Sequence, residues 1–191
     1  MQCAQRGYAM KKYTAIIILL VLTVSCKDTG TGPSSEVNLV VNSTFELNGL
    51  PSLHDWIVSD TSVVHFSTDV PARGKGYSLV FHARSLPGYN SIYTAITGVG
   101  GRHRYRLSAF GKADRIPWGA VHAYRYEPST GNSAPFGSLE IADTVWTFYS
   151  HTDTLSTTPT DTIFIEITGS VRPIIPLTSI FFNSCKFDKL D

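Results

Sequence analysis

The segment Ala120 to Tyr126, AVHAYRY, holds aromatic, imidazole and guanidinium groups of the kinds that bind ligands. The two-residue alternation of a strand sets His122, Tyr124 and Tyr126 on one face and Val121, Ala123 and Arg125 on the other. With Val121 and Ala123 turned to a core, the first face is left for solvent or ligand. Aromatic rings give flat apolar platforms, and a few fixed polar groups orient what lies on them. In Arg104 to Ala113, Tyr105, Leu107 and Ala109 read as core, so Arg106, Phe110 and Lys112 share the opposite face. Trp118, between Pro117 and Gly119, is expected to offer a platform from a loop. The expected ligand-binding residues are therefore Phe110, Lys112, Trp118, His122, Tyr124 and Tyr126. Phe164 and Glu166 extend the open face.

Catalysis finds less support. Glycoside hydrolysis needs two carboxylates at a defined separation, and Asp55, Asp60, Glu127, Glu140 and Glu166 form no recognisable pair motif. A lyase on a jelly roll would use Tyr, His and Arg, for which His122, Tyr124, Arg125 and Tyr126 are the candidates. The six histidines include neither a His-x-His pair nor His-Glu-x-x-His, although a fold could bring His65 and His103 together. Cys185 reads as a small core hydrophobe rather than a reactive thiol.

The elements that must position these residues are strands. YSLVFHA (Tyr77 to Ala83), SIYTAIT (Ser91 to Thr97), RYRLSAFGKA (Arg104 to Ala113), AVHAYRY, TVWTFYSHT (Thr144 to Thr152) and TIFIEIT (Thr162 to Thr168) are β-branched and aromatic-rich. Gly, Pro, Asn or Asp bound each of them. Alternation is clearest in the last, with Ile163, Ile165 and Ile167 on one face and Phe164 and Glu166 on the other. No long stretch keeps a 3.6-residue apolar period. The chain therefore reads as all-β, a β-sandwich or jelly roll.

Before the domain stands an apolar run, Ala15 to Val24, ten residues long where a spanning helix needs about 20. Lys11 and Lys12 precede it and Ser25-Cys26 follow, the order of a secretory signal that is removed. Met10 stands directly before the lysines and is an alternative start that would exclude Cys3. Loss of residues 1–25 removes Arg6, Lys11 and Lys12, leaving thirteen basic residues against fifteen acidic ones, a net charge of −2. That balance argues against a nucleic-acid footprint, which needs a clustered basic surface. Cys185 would remain alone in the domain, so no internal disulfide is expected there. Residues 26–36 are small, polar and broken by Gly and Pro, as in a flexible tether. One domain is expected over 37–191, long enough for a substantial core.

Leu22-Thr23-Val24-Ser25-Cys26 resembles the lipobox of bacterial lipoproteins, with Thr23 where that pattern prefers an aliphatic residue. The resemblance implies lipidation at Cys26 and a membrane anchor at the cell envelope, stable when several acyl chains are attached. Lys27-Asp28 is similar to the short charged signal that sends some lipoproteins of the Bacteroidetes group to the cell surface.

NLVVNSTFELNG (Asn38 to Gly49), HDWIVSD (His54 to Asp60), GKGYSLVFHA (Gly74 to Ala83), RYRLSAFGKA, WTFYSHT (Trp146 to Thr152) and IFFNSCKFDKL (Ile180 to Leu190) follow one another along the chain. In that order they resemble carbohydrate-binding modules of the CenC-like, galactose-binding-domain-like type. The resemblance implies a jelly roll that binds a glycan or oligosaccharide without catalysis, and core roles for Trp56 and Trp146. It also implies a structural calcium ion near the first and closing strands, at positions matching Glu46 and Asn183. Asn183-Ser184 stands where the family usually has an Asp pair, which removes the hard anionic ligands calcium prefers. Two other roles for the chain remain, a structural or assembly lipoprotein making protein contacts and a small polysaccharide lyase.

Overall fold

The computed structural model describes residues 36–58, 60–82, 88–114, 118–171 and 179–191. The lipobox with Cys26, the start at Met10 and most of the tether lie outside the described residues, as does Ala83 at the end of one expected strand.

The strands are β1 (Val37–Asn38), β2 (Glu46–Leu47), β3 (Leu50–Pro51), β4 (Ile57–Val58), β5 (Val64–Ser67), β6 (Ser78–His82) and β7 (Gly88–Thr97). They continue with β8 (Gly101–Ala113), β9 (Trp118–Glu127), β10 (Asn132–Ile141), β11 (Thr147–Thr157), β12 (Thr162–Val171) and β13 (Ser179–Lys189). One sheet runs β11-β8-β13-β6-β5, with β1 added to β13, and the other runs β10-β9-β12-β7-β4. All pairings are antiparallel, and the two sheets face each other as a jelly-roll sandwich.

Alternation explains what lies between the sheets. Ile163, Ile165 and Ile167 of β12 are buried, as are Tyr105, Leu107 and Ala109 of β8 and Ile180, Phe182 and Phe187 of β13. Tyr105 stacks on Phe187 with ring centroids 4.9 Å apart. Phe136 from the opposite sheet meets both edge-on. Each buried Phe or Ile contributes about 1.5–3 kcal/mol by leaving water. The sheets approach so closely at Gly119 and Gly169 that a Cβ there would meet Ile180 and Phe81.

Two irregularities re-aim side chains. In β13 the register shifts between Asn183 and Lys186, and Ser184 takes a left-handed φ of 50°. The shift changes the phase of alternation, so Cys185 and Phe187 point inward as Ile180 and Phe182 do. Cys185 is fully buried, and burial pushes its thiol up to about 12, which suits a core hydrophobe. In β10 the shift falls between Pro135 and Gly137 and turns Phe136 into the core.

Asn42 organises the first loop. Its Nδ2 donates to the carbonyls of Ser52 and His54, and its Oδ1 accepts from the Glu46 backbone N–H. Its own carbonyl accepts from Trp56 Nε1 at 2.9 Å, and Trp56 packs on Phe45 in the core, as expected of it. Trp146 differs from expectation: it lies outside the core, on the outer face of the six-stranded sheet, against Phe181. Trp118 also differs, because position 118 opens β9 opposite Ser170 instead of sitting in a loop.

Candidate functional site

The outer face of the five-stranded sheet follows from its register. Ser138, His122, Glu166, Tyr93 and Ile57 succeed one another across all five strands. The next row is Pro135, Tyr124, Phe164 and Ala95, and the next is Ser133, Tyr126, Thr162 and Thr97. The five-residue row spans roughly 19 Å at ordinary strand spacing.

Phe164 is the centre of this surface. Tyr124 stacks on it at 5.4 Å with planes 27° apart, and Tyr93 and Tyr126 approach it edge-on at 5.9 and 6.3 Å. Offset-stacked and edge-on contacts between rings each add about 0.5–1.5 kcal/mol beyond burial. The four side chains therefore hold one another in place before any ligand arrives, and all four are only partly buried. Beside them an open depression of about 460 Å³ is lined by His122, Tyr124, Pro135, Gly137, Ser138 and Glu166. Partial burial, with the Glu166 carboxylate and then Tyr93 nearby, raises the Tyr124 phenol above its ordinary 10.0. Tyr124 thus stays protonated, a hydrogen-bond donor, throughout the physiological range. His122 Nε2 lies 3.4 Å from Thr168 Oγ1.

His122, Tyr124 and Tyr126 are brought together here as the alternation of β9 predicts, with Phe164 and Glu166 beside them. Tyr93 is absent from the sequence expectation, although the burial of Ile92 and Ile96 on the same strand is the signal that leaves position 93 outward. Pro135 and Ser138 are absent from it because β10 is rich in Gly, Pro and Ser and does not read as a strand. Trp118 shares β9 with these residues at its first position.

Phe110 and Lys112 are elsewhere. Their outward direction on β8 is as predicted, but β8 belongs to the other sheet, so they face away from Tyr124 across the sandwich. Lys112 Nζ lies 4.6 Å from the Phe181 ring centroid and 5.5 Å from that of Trp146, and it bonds Asp69. Trp146 Nε1 donates to the same carboxylate at 2.9 Å. Lys112 and then Trp146 hold the Asp69 carboxyl below its ordinary 3.8. Phe110 packs on the exposed Phe148 at 5.1 Å. Further along the face, Arg106 Nη2 donates to Glu36 and Asp188 at 2.7 and 2.9 Å.

The Tyr, His and Arg of a lyase do not converge, because Arg125 faces away from Tyr124 and donates to the Ser156 carbonyl. His65 meets His82 at 4.7 Å rather than His103, which lies against Asp191. Asn183 is buried and presents its amide nitrogen, donating at 2.9 Å to the carbonyls of Lys75 and Tyr77. Glu46 Oε1 accepts from the Gly49 N–H. Asn183 thus turns its amide nitrogen toward these two carbonyls, while Glu46 Oε2 borders Gly76 on the same turn.

No protein-family model and no curated protein matches the chain. Solved structures do. TmCBM61, determined in complex with β-1,4-galactotriose, superposes with a TM-score of 0.56 at 19% identity, covering 79% of this chain and 97% of that one. A family 16 carbohydrate-binding module gives 0.57 at 16% identity over 78% and 99%. A CBM22 xylan-binding domain from Paenibacillus barcinonensis gives 0.54 at 12% identity over 85% and 99%. The fold is the β-sandwich jelly roll of carbohydrate-binding modules.

Proposed function

We propose that this chain is a lipid-anchored cell-envelope protein whose sandwich binds a neutral glycan or oligosaccharide on the outer face of its five-stranded sheet, without catalysis. The observation that carries this reading is the ring cluster of Phe164 with Tyr93, Tyr124 and Tyr126, bordered by a depression that offers hydroxyl, imidazole and carboxylate groups. Such a surface has the apolar platform and the few convergent polar groups that sugar recognition requires. Carbohydrate-binding modules of the same fold support the ligand class. The choice of a neutral ligand rests on charge. Glu166 and Glu140 sit on this face, and no Lys or Arg does among the described residues, so an acidic sugar would meet repulsion without compensation. Anchoring at Cys26 and a place in the cell envelope rest on the lipobox resemblance.

The test is a glycan array probed with the protein, repeated with Tyr124→Ala and Trp118→Ala. Binding of neutral glycans that Tyr124→Ala abolishes, with the fold intact, is the expected result. A well-folded protein that binds no glycan would contradict it. That outcome would favour the assembly role, for which Phe148, 53% exposed and packed on Phe110, and Val145, 67% exposed, are the supporting observation.

A further inference from the structure

The turn Gly74 to Tyr77 is held between the first loop and the closing strand. The Tyr77 N–H donates to the Thr44 carbonyl at 3.1 Å, and the Gly74 N–H donates to Pro71. From the other side, Asn183 spends both amide hydrogens on this turn, one on the Lys75 carbonyl and one on the Tyr77 carbonyl. Its Oδ1 accepts from Ser184 Oγ at 2.7 Å. Two converging carbonyls have no proton to share, so only a donor or a cation can satisfy them. With no cation between them, the two carbonyls fix the amide's orientation. The turn is wrapped tightly: a Cβ on Gly74 would lie 2.6 Å from Asn183 Oδ1, and one on Gly76 would strike the Thr44 carbonyl.

Glu46 Oε2 borders Gly76, and five other oxygens around the turn already accept a hydrogen bond. Lys75 O and Tyr77 O take the amide, Thr44 O takes the Tyr77 N–H, Asn183 Oδ1 takes Ser184, and Glu46 Oε1 takes Gly49. Calcium requires six to eight oxygens directed at one point and prefers carboxylates among them. We propose that the side-chain amide of Asn183 occupies the place of a structural cation, locking the closing strand β13 to the Gly74–Tyr77 turn without metal. The left-handed backbone at Ser184 and the register shift beside it are the local distortion that carries the Asn183 side chain to the turn. A buried neutral amide with both hydrogens satisfied needs no counter-charge, whereas a carboxylate in the same place would face two carbonyl dipoles of its own sign.

Thermal melting of the full chain in EDTA and in millimolar calcium chloride tests this, with Asn183→Asp and Asn183→Leu alongside. The melting temperature of the unsubstituted protein is expected to be the same in both solutions. Asn183→Asp is expected to melt at least about 5 °C lower in EDTA and to recover with calcium, because the new carboxylate and the two carbonyls then form an oxygen cluster. Asn183→Leu, which has neither donor nor charge, is expected to melt lower in both solutions. A calcium-dependent rise in the unsubstituted protein would overturn the proposal. So would an Asn183→Leu protein as stable as the parent. If Asn183→Asp does not fold even with calcium, the calcium independence of the parent and the loss in Asn183→Leu decide the matter.

Discussion

The two outer faces of this sandwich use aromatic residues in opposite ways. On the five-stranded sheet, Tyr93, Tyr124 and Tyr126 all pack on Phe164, and the charged side chains beside them among the described residues are carboxylates. On the six-stranded sheet, Lys112 lies over Phe181 and Trp146, and Asp69 ties Lys112 and Trp146 together. There the cation already fills the place over the rings that a ligand would take. An aromatic residue on a strand therefore says little about binding until its neighbours are known. The difference lies in whether its face is satisfied by the protein itself.

The largest effect should come from breaking the ring cluster. Phe164→Ala and Tyr124→Ala are each expected to weaken glycan binding at least about tenfold, or 1.4 kcal/mol, measured by titration calorimetry. Phe110→Ala, on the other sheet, should leave affinity unchanged. A smaller effect is expected from charge. Glu166→Gln should leave the affinity for neutral oligosaccharides within about twofold and raise that for uronate-containing ones several-fold, since it removes a like charge from the face.

Smaller again is the effect of Lys112→Met on stability. An exposed ion pair contributes about 0–1 kcal/mol, so the denaturation midpoint should fall only slightly, with no change in glycan binding. The smallest effect is in acid. Because Asp69 has its carboxyl value lowered on folding, its contribution is complete above the unfolded value of 3.8 and is lost as the pH falls through the lower folded value. Asp69→Asn should flatten the stability profile below pH 3.8, read from denaturation midpoints between pH 5 and pH 2.

Much of the five-stranded face is legible from local alternation. Residues 120–126 and 162–168 place apolar and aromatic side chains on opposite faces so regularly that the sequence alone assigns His122, Tyr124, Tyr126, Phe164 and Glu166 outward. The same alternation assigns Phe110 and Lys112 outward correctly. It does not say which sheet β8 joins, because pairing of β8 with β11 and β13 depends on contacts far apart in sequence. Strand β10 is hidden for a different reason. Its Pro135 and Gly137 resemble turn residues, yet Pro is tolerated at a bulge on an edge strand, where no ladder hydrogen bond is lost. At Asn183 the amide is visible in the sequence, but the two carbonyls it meets belong to a turn more than a hundred residues earlier.

The most direct test of the account is to map the bound face. Backbone and side-chain NMR signals of the protein, followed during titration with a neutral oligosaccharide that binds it, should shift at Tyr93, His122, Tyr124, Phe164 and Glu166 and stay still at Phe110, Lys112 and Phe148. Shifts concentrated at Phe110, Lys112 and Phe148, with the Phe164 cluster unmoved, would contradict the assignment of the ligand to the five-stranded sheet.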